Sequence, residues 1–253
     1  MKFTFFLVIL FMNCGIGIAS KVLFVFPTPS RSHMIVVQGL SKALAEKGHE
    51  VTVVSPFPMS KFMKNYRDIK SPVSDNDDEM KKDLMNSTGS TFIINMPMML
   101  DLITDTTEEL LKMSEFKKIM KEEKFDLVII GFFYNNYLLG LGDHFKCPTI
   151  ILSVQGPFGI TNNIVGNSQE VSAVPHQVIF QPGRMSFMKR VANFLINGAD
   201  MASTKFMDNQ ERKLYEWVQV IKGQQPYLNF NILENISHPI VIEVLMNRRE
   251  TSR

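Results

Sequence analysis

The sequence predicts an α/β fold, a parallel sheet with helices on both faces, and three observations carry that prediction. A continuous apolar run, Val22 to Phe26, is followed by a short loop, a stretch of helical periodicity and a second apolar run ending at Val54. Two further runs, Asp126 to Ile130 and Phe145 to Ser153, have similar hydrophobic character. Strands covered by helices on both faces read as continuous apolar runs, whereas half-solvated strands alternate. The composition agrees, with 45% hydrophobic residues in 253 and a net charge of +2. A chain of that size can bury a substantial core. The near-neutral balance gives no electrostatic reason to propose nucleic acid or an acidic membrane surface as a partner.

Met1 to Ala19 carries one Lys, an apolar core from Phe3 to Met12 and a small-residue end, Gly17-Ile18-Ala19. It reads as a secretory signal peptide cleaved before Ser20, being short for a membrane span; an uncleaved anchor is the alternative. Lys21 to Ser55 reads as strand, loop, helix, turn and strand, one βαβ unit whose right-handed crossover makes the strands parallel. Pro27 and Pro29 end the first strand, and Ser32 is placed to cap the helix. Val36, Val37, Leu40 and Leu44 recur at the spacing of one buried helix face, and Gly48 closes the helix.

Lys61 to Met85 is polar and charged and is expected to form a surface excursion. Its acidic cluster, Asp75 to Glu79, lacks the Gly turn and terminal Glu of a calcium loop, so a solvated loop is expected there. Asn86-Ser87-Thr88 is a glycosylation sequon. Thr91 to Asn95 reads as a third strand, and a Met-rich segment from Met96 leads into a helix through about Met120. Methionines fill core gaps and also suit pockets for differently shaped lipophilic molecules. Val154 to Gln181 is a long irregular segment of the kind that often carries function. Met185 to Val218 reads as mainly helix, with Met188, Val191, Phe194, Leu195 and Ile196 near its start. Asn235-Ile236-Ser237 is a second sequon, Ile240 to Leu245 is a candidate last strand, and NRRETSR is a charged tail.

In an open α/β sheet, ligands bind beyond the carboxyl ends of the strands, and Pro27 to His33 lies at such an end. His33 falls in the first turn of the following helix, where the helix dipole disfavours a second proton on imidazole. The ring is then neutral and able to accept a proton, the state a general base needs. The alternative is that His33 covers the helix start or hydrogen-bonds a carbonyl. No GxGxxG and no phosphate loop occurs, so neither nicotinamide redox chemistry nor nucleoside-triphosphate hydrolysis has a sequence warrant. With Cys14 in the signal, Cys147 is the only mature cysteine, which excludes an intrachain disulfide. The histidines are scattered, with no HExxH, CxxC or paired His-carboxylate spacing, so no metal site is expected.

The run FVFPTPSRSHMIVVQGLSKALAEKGHEVTVVSPFP, together with Phe125 to Ser153 and VGNSQEVSAVPHQ from Val165 to Gln177, carries a resemblance. From about Lys21 to Glu216 the chain resembles the amino-terminal half of the family-1 UDP-glycosyltransferases of animals, in particular the arthropod type. The specific part is the Ser-His after the first strand combined with Gly-His-x-Val-Thr before the second. The resemblance implies a Rossmann-like domain like the amino-terminal domain of a GT-B glycosyltransferase. It divides the chain into a signal peptide at 1–19, an acceptor-binding domain at 20–238 and a divergent tail at 239–253.

The implied reaction moves a hexosyl or glucuronosyl group from a UDP-sugar to a hydroxyl of a small lipophilic acceptor, with His33 as base. The UDP-sugar is a donor substrate, and no cofactor is implied. Acceptor contacts are implied at Ser32, Phe132, Phe133 and Phe158. In the family an acidic residue after the Asp126 to Ile130 strand orients the catalytic His and stabilises its imidazolium. By the family's pattern that position is about Asn136 here, an amide that can orient imidazole but cannot neutralise imidazolium. Asp143 lies about two helical turns on, about 10 Å by helix rise, and is too far to substitute. The family's donor-binding half, with its His-Gly-Gly signature, and its membrane helix are not found in this sequence. The expectation is therefore a truncated form, resident in the endoplasmic reticulum lumen or secreted, glycosylated at Asn86 and Asn235, and membrane-anchored only in a full-length form. The alternative function is a non-catalytic luminal module that binds lipophiles or associates with full-length transferases.

Overall fold

The computed structural model describes residues 19–72, 95–132, 135–154, 161–162, 170–176, 184–199 and 240–243. Strands β1 (Lys21–Val25), β2 (Glu50–Ser55), β3 (Tyr66–Lys70), β4 (Leu127–Gly131), β5 (Thr149–Ser153) and β6 (Ile240–Glu243) form one sheet. Every neighbouring pair is parallel, in the order β3-β2-β1-β4-β5-β6. The chain runs outward from β1 to β3, then returns to the other side of β1 as β4. The loops leaving β1 and β4 therefore diverge, and a crevice opens between them at the carboxyl ends, the switch point of a doubly wound sheet.

Alternation along each strand sends side chains to two cores. Val22, Phe24 and Phe26 pack with Val51, Val53 and Ile129 under Met34, Val37 and Ala45 of α1 (Arg31–Glu46). Leu23, Val25, Val128 and Ile130 face the opposite layer. That layer comprises α2 (Met96–Lys112), α3 (Ser114–Glu122), a 3-10 turn (Asn136–Leu139) and α4 (Gly140–Phe145). Its buried residues include Leu110, Phe116, Ile119, Tyr137, Leu138 and Leu141. A further helix, α5, spans residues 187–199. No helix among the described residues is long and apolar enough to cross a membrane.

The polar stretch expected to be only a surface excursion contains strand β3. It stands at the edge of the sheet, and of its residues, YRDIK, only Ile69 is fully buried while Arg67 and Lys70 are exposed. The Arg67 guanidinium donates twice to the Glu123 carboxylate, at 2.9 and 2.8 Å, tying this edge to the end of α3. The helix expected to run through Met120 is broken at Met113, whose extended backbone separates α2 from α3.

Helix α1 starts one turn-half earlier than expected, with Ser30 rather than Ser32 at the N-cap. Its buried face is Met34, Val37, Ser41 and Ala45, with Leu40 and Leu44 partly buried beside it. Gly48, at φ 95°, closes the helix in the left-handed conformation that glycine adopts without penalty. The strand expected from Phe145 begins at Thr149, because 140–145 is helical and Lys146 turns the chain at φ 58°. Residues 240–243, a candidate strand in sequence, add to β5 within the stretch expected as a divergent tail. The strand at Thr91 to Asn95 and the acidic cluster fall on residues outside those described, apart from Asn95, which caps α2. Residues 1–18, most of the expected signal peptide, also lie outside them.

On α5 the polar side faces the protein. Asn193 is buried, accepts from the His176 backbone N–H at 2.7 Å and donates to the carbonyls of Val171 and Val174. Asn197 is buried one turn on and donates to the Asn193 carbonyl. Phe187, Met188, Phe194 and Leu195 are exposed instead.

Candidate functional site

The site is built where the loop after β1 meets the start of α1. Phe26 continues the β1 ladder, its N–H donating to the Val54 carbonyl at 2.9 Å. The chain then turns at Thr28, whose carbonyl accepts from the Ser30 N–H at 2.8 Å, and the Ser30 carbonyl accepts the first helical bond, from Met34. This fixes the backbone of residues 28–30 and delivers His33 to the first turn of α1, as the sequence predicts.

The His33 ring is stacked against Phe26, with ring centroids 6.4 Å apart and planes 18° apart. Its Nδ1 lies 2.7 Å from Ser30 Oγ and 3.3 Å from Ser32 Oγ, and the two hydroxyls are 3.2 Å apart. Burial lowers the His33 pKa from its ordinary value of 6.5. The direction agrees with the helix-dipole argument, and the dominant cause here is desolvation of the charged form. The Thr28 hydroxyl is buried in the same loop and has no hydrogen-bond partner among the described residues.

The other side of the crevice is the loop after β4. A Cβ on Gly131 would collide with the Phe26 ring, so the absence of a side chain lets β4 and the His33-bearing segment come together. Asn135 is buried and its side-chain amide donates to the Gly131 carbonyl at 3.1 Å, closing the strand end. Asn136 opens the 3-10 turn with its backbone; its side chain lies outside what the structure describes, as do Phe133 and Phe158. Asn86 and Asn235 also lie outside the described residues.

Ser32 is exposed beside His33, and the two are brought together. Phe132 is not brought to them. It is buried in the core that holds Leu23 and Val25, on the opposite face of the sheet from Phe26, and packing accounts for it. Sequence reasoning missed Ser30, Phe26 and Asn135. Only Ser30 had a signal, a Ser three residues before a His at a helix start.

A cavity of about 320 Å³ lies at the other end of the sheet, lined by Lys21, Glu50, Tyr66, Arg67 and Glu123 among others. These residues stand at or near the amino ends of the strands and on α3, away from the switch-point crevice, so the cavity is not the candidate site. Among the described residues no group of three His, Cys, Asp or Glu could hold a metal ion. Cys147 is free and partly buried, with its pKa raised by burial, the opposite of an activated thiol.

A family model described as UDP-glucoronosyl and UDP-glucosyl transferase matches residues 20–241. The chain belongs to this family. It is 27% identical over 237 residues to UDP-glycosyltransferase UGT4 of Dactylopius coccus, covering 93% of this chain and 46% of that protein. It is also 27% identical over 210 residues to an ecdysteroid UDP-glucosyltransferase of Autographa californica nuclear polyhedrosis virus, covering 78% of this chain and 40% of the relative. Among solved structures, Glycyrrhiza uralensis UGT73P12 complexed with glycyrrhetinic acid 3-O-monoglucuronide aligns at a TM-score of 0.39 and 11% identity. That alignment covers 82% of this chain and 48% of that one. The chain spans less than half the length of these curated relatives.

For this family member the lowered pKa of His33 sets a pH dependence of stability. A folded-state pKa below the unfolded value means that the unfolded chain binds more protons, so stability falls with falling pH. The contribution is fully present above pH 6.5 and is lost as pH falls through the lower folded-state pKa. Urea unfolding at a series of pH values should show His33→Gln flattening the slope below 6.5; an unchanged slope would remove His33 as its source.

Proposed function

We propose that the chain is the acceptor-binding part of a UDP-glycosyltransferase, which presents a small lipophilic alcohol or phenol to a UDP-sugar with His33 as general base. The observation that carries this reading is His33 itself: a half-buried imidazole biased to the neutral form, held at the carboxyl end of β1 beside the switch-point crevice. The base takes the acceptor's hydroxyl proton as the oxygen attacks the sugar, so it must be neutral before the reaction and cationic after it. Family membership supports a UDP-sugar donor and a small acceptor. The relative named for ecdysteroids favours a hydroxylated polycyclic acceptor. The test joins this chain to the donor-binding half of a relative and measures transfer from UDP-glucose and UDP-glucuronic acid to a panel of phenols and steroids. Transfer that needs this chain supports the reading, and none with any pair sinks it.

A second reading is a luminal module that holds lipophiles, or associates with full-length transferases, without catalysis. Asn136, where the family resemblance expects an acid, favours it. Under that reading the joined protein binds the same phenols and steroids but does not turn over.

Luminal residence belongs to the same proposal, supported by the signal-like Met1 to Ala19 and the sequons at Asn86 and Asn235. Protein from a eukaryotic host should begin at Ser20 on amino-terminal sequencing and lose mass on amidase treatment. A chain beginning at Met1 with no mass loss would overturn it.

A further inference from the structure

Ser30 occupies the N-cap of α1 with extended backbone, at φ −116° and ψ 110°, yet its hydroxyl makes no capping bond. A serine there ordinarily accepts from a backbone N–H two or three residues on. This one lies 2.7 Å from His33 Nδ1, at the short end of the range for nitrogen–oxygen hydrogen bonds. Bonds to the Thr28 carbonyl and from the Met34 N–H hold its backbone on both sides, so the hydroxyl is aimed by the fold. Phe26 restrains the plane of the imidazole and Ser30 restrains its rotation within that plane.

We propose that Ser30 is the positioning residue of His33, accepting a hydrogen bond from Nδ1–H and so placing the basic lone pair on Nε2. The inference rests on the reading of His33 as a base for its significance. A serine hydroxyl has one hydrogen and two lone pairs. Ser32 Oγ, 3.2 Å from Ser30 Oγ, is placed to take that hydrogen, which leaves a Ser30 lone pair facing Nδ1. When Nε2 takes a proton from an acceptor hydroxyl, the O–H bond breaks and an Nε2–H bond forms. Nδ1–H stays on Ser30 throughout and no proton passes to the serine. The opposite tautomer, with Ser30 donating to Nδ1, leaves Nε2 protonated and unable to act as the base.

The test reads the tautomer directly on the full chain, with no donor half required. Protein labelled with ¹⁵N in its histidine rings is examined by long-range proton–nitrogen correlation at a pH above 6.5, where the ring is neutral. The His33 signals are assigned by their loss in His33→Gln. The expected result is a protonated, pyrrole-type Nδ1 and a pyridine-type Nε2. In Ser30→Ala the ratio of the Nδ1–H to the Nε2–H form should fall about three- to tenfold, the effect of losing one hydrogen bond. Ser30→Thr, which keeps the hydroxyl, should retain the ratio. A merely structural role would disturb the backbone amide spectrum without inverting the tautomer. An Nε2–H majority in the unchanged chain, or an unchanged ratio in Ser30→Ala, overturns the proposal. If Ser30→Ala does not fold, the unchanged chain and Ser30→Thr still decide it. Absence of sugar transfer in the joined protein beside the expected signature would defeat the catalytic reading and leave this positioning intact.

Discussion

Joined to an intact donor-binding half, this chain should lose about 10²- to 10⁴-fold in kcat/KM when His33 is replaced by alanine. The magnitude is that of a positioned general base. Without it the acceptor hydroxyl must attack while still protonated, or lose its proton to bulk water. The same joined protein carrying Asn136→Asp should be faster than the unchanged one, because a carboxylate near an imidazolium stabilises the charge that develops in the transition state. The gain should be smaller than the loss from His33→Ala, since Ser30 already engages Nδ1 and orients the ring. Four proteins decide the matter: unchanged, His33→Ala, Asn136→Asp and the double variant. A gain from Asn136→Asp that disappears in the double variant ties the two positions into one unit, by the logic of a double-mutant cycle. Equal rates in all four would remove the catalytic assignment of His33 and leave the binding reading.

The first βαβ unit was legible because its strands are buried on both faces and its helix begins and ends on residues with strong local preferences. Strand β3 was not, because at the sheet edge only Ile69 of its five residues is fully buried, and Tyr66 to Lys70 then looks like any polar surface segment. The exact buried stripe of α1 was missed for a related reason. Leu40 and Leu44 attract attention by their hydrophobicity, but they are only partly buried, and small Ser41 and Ala45 are fully buried instead. At the site, the position of His33 follows from strand-loop-helix order alone. Its partner does not, because a Ser at a helix start satisfies the capping rule equally well whether its hydroxyl turns to the backbone or to a side chain. Phe132 shows what strand periodicity adds. Adjacent residues on a strand end point to opposite faces, so Gly131 meets Phe26 while Phe132 enters the other core.

Leu138→Ala should destabilise the fold by about 2–5 kcal/mol, the range for emptying a leucine site in a packed core. For a chain of this size that corresponds to a fall in Tm of roughly 4–20 °C. Leu138 is 0% exposed and sits between Tyr137 and Leu139, which are buried as well, so this turn is surrounded by protein rather than laid on its surface. Tyr137 adds a hydroxyl bond to Thr107 Oγ1 at 2.9 Å, joining the turn to α2. The turn is also the only covalent route from the end of β4 to α4, and Asn136 is its first residue. Burial of residues 137–139 therefore fixes the turn that carries Asn136 against the core. Ile35→Ala is the control, since Ile35 is 70% exposed on α1 and a surface substitution of this kind is usually within about 0.5 kcal/mol. Urea unfolding of the two variants beside the unchanged chain makes the comparison. A Leu138→Ala midpoint no lower than that of Ile35→Ala would show that the turn is not anchored by its side chains.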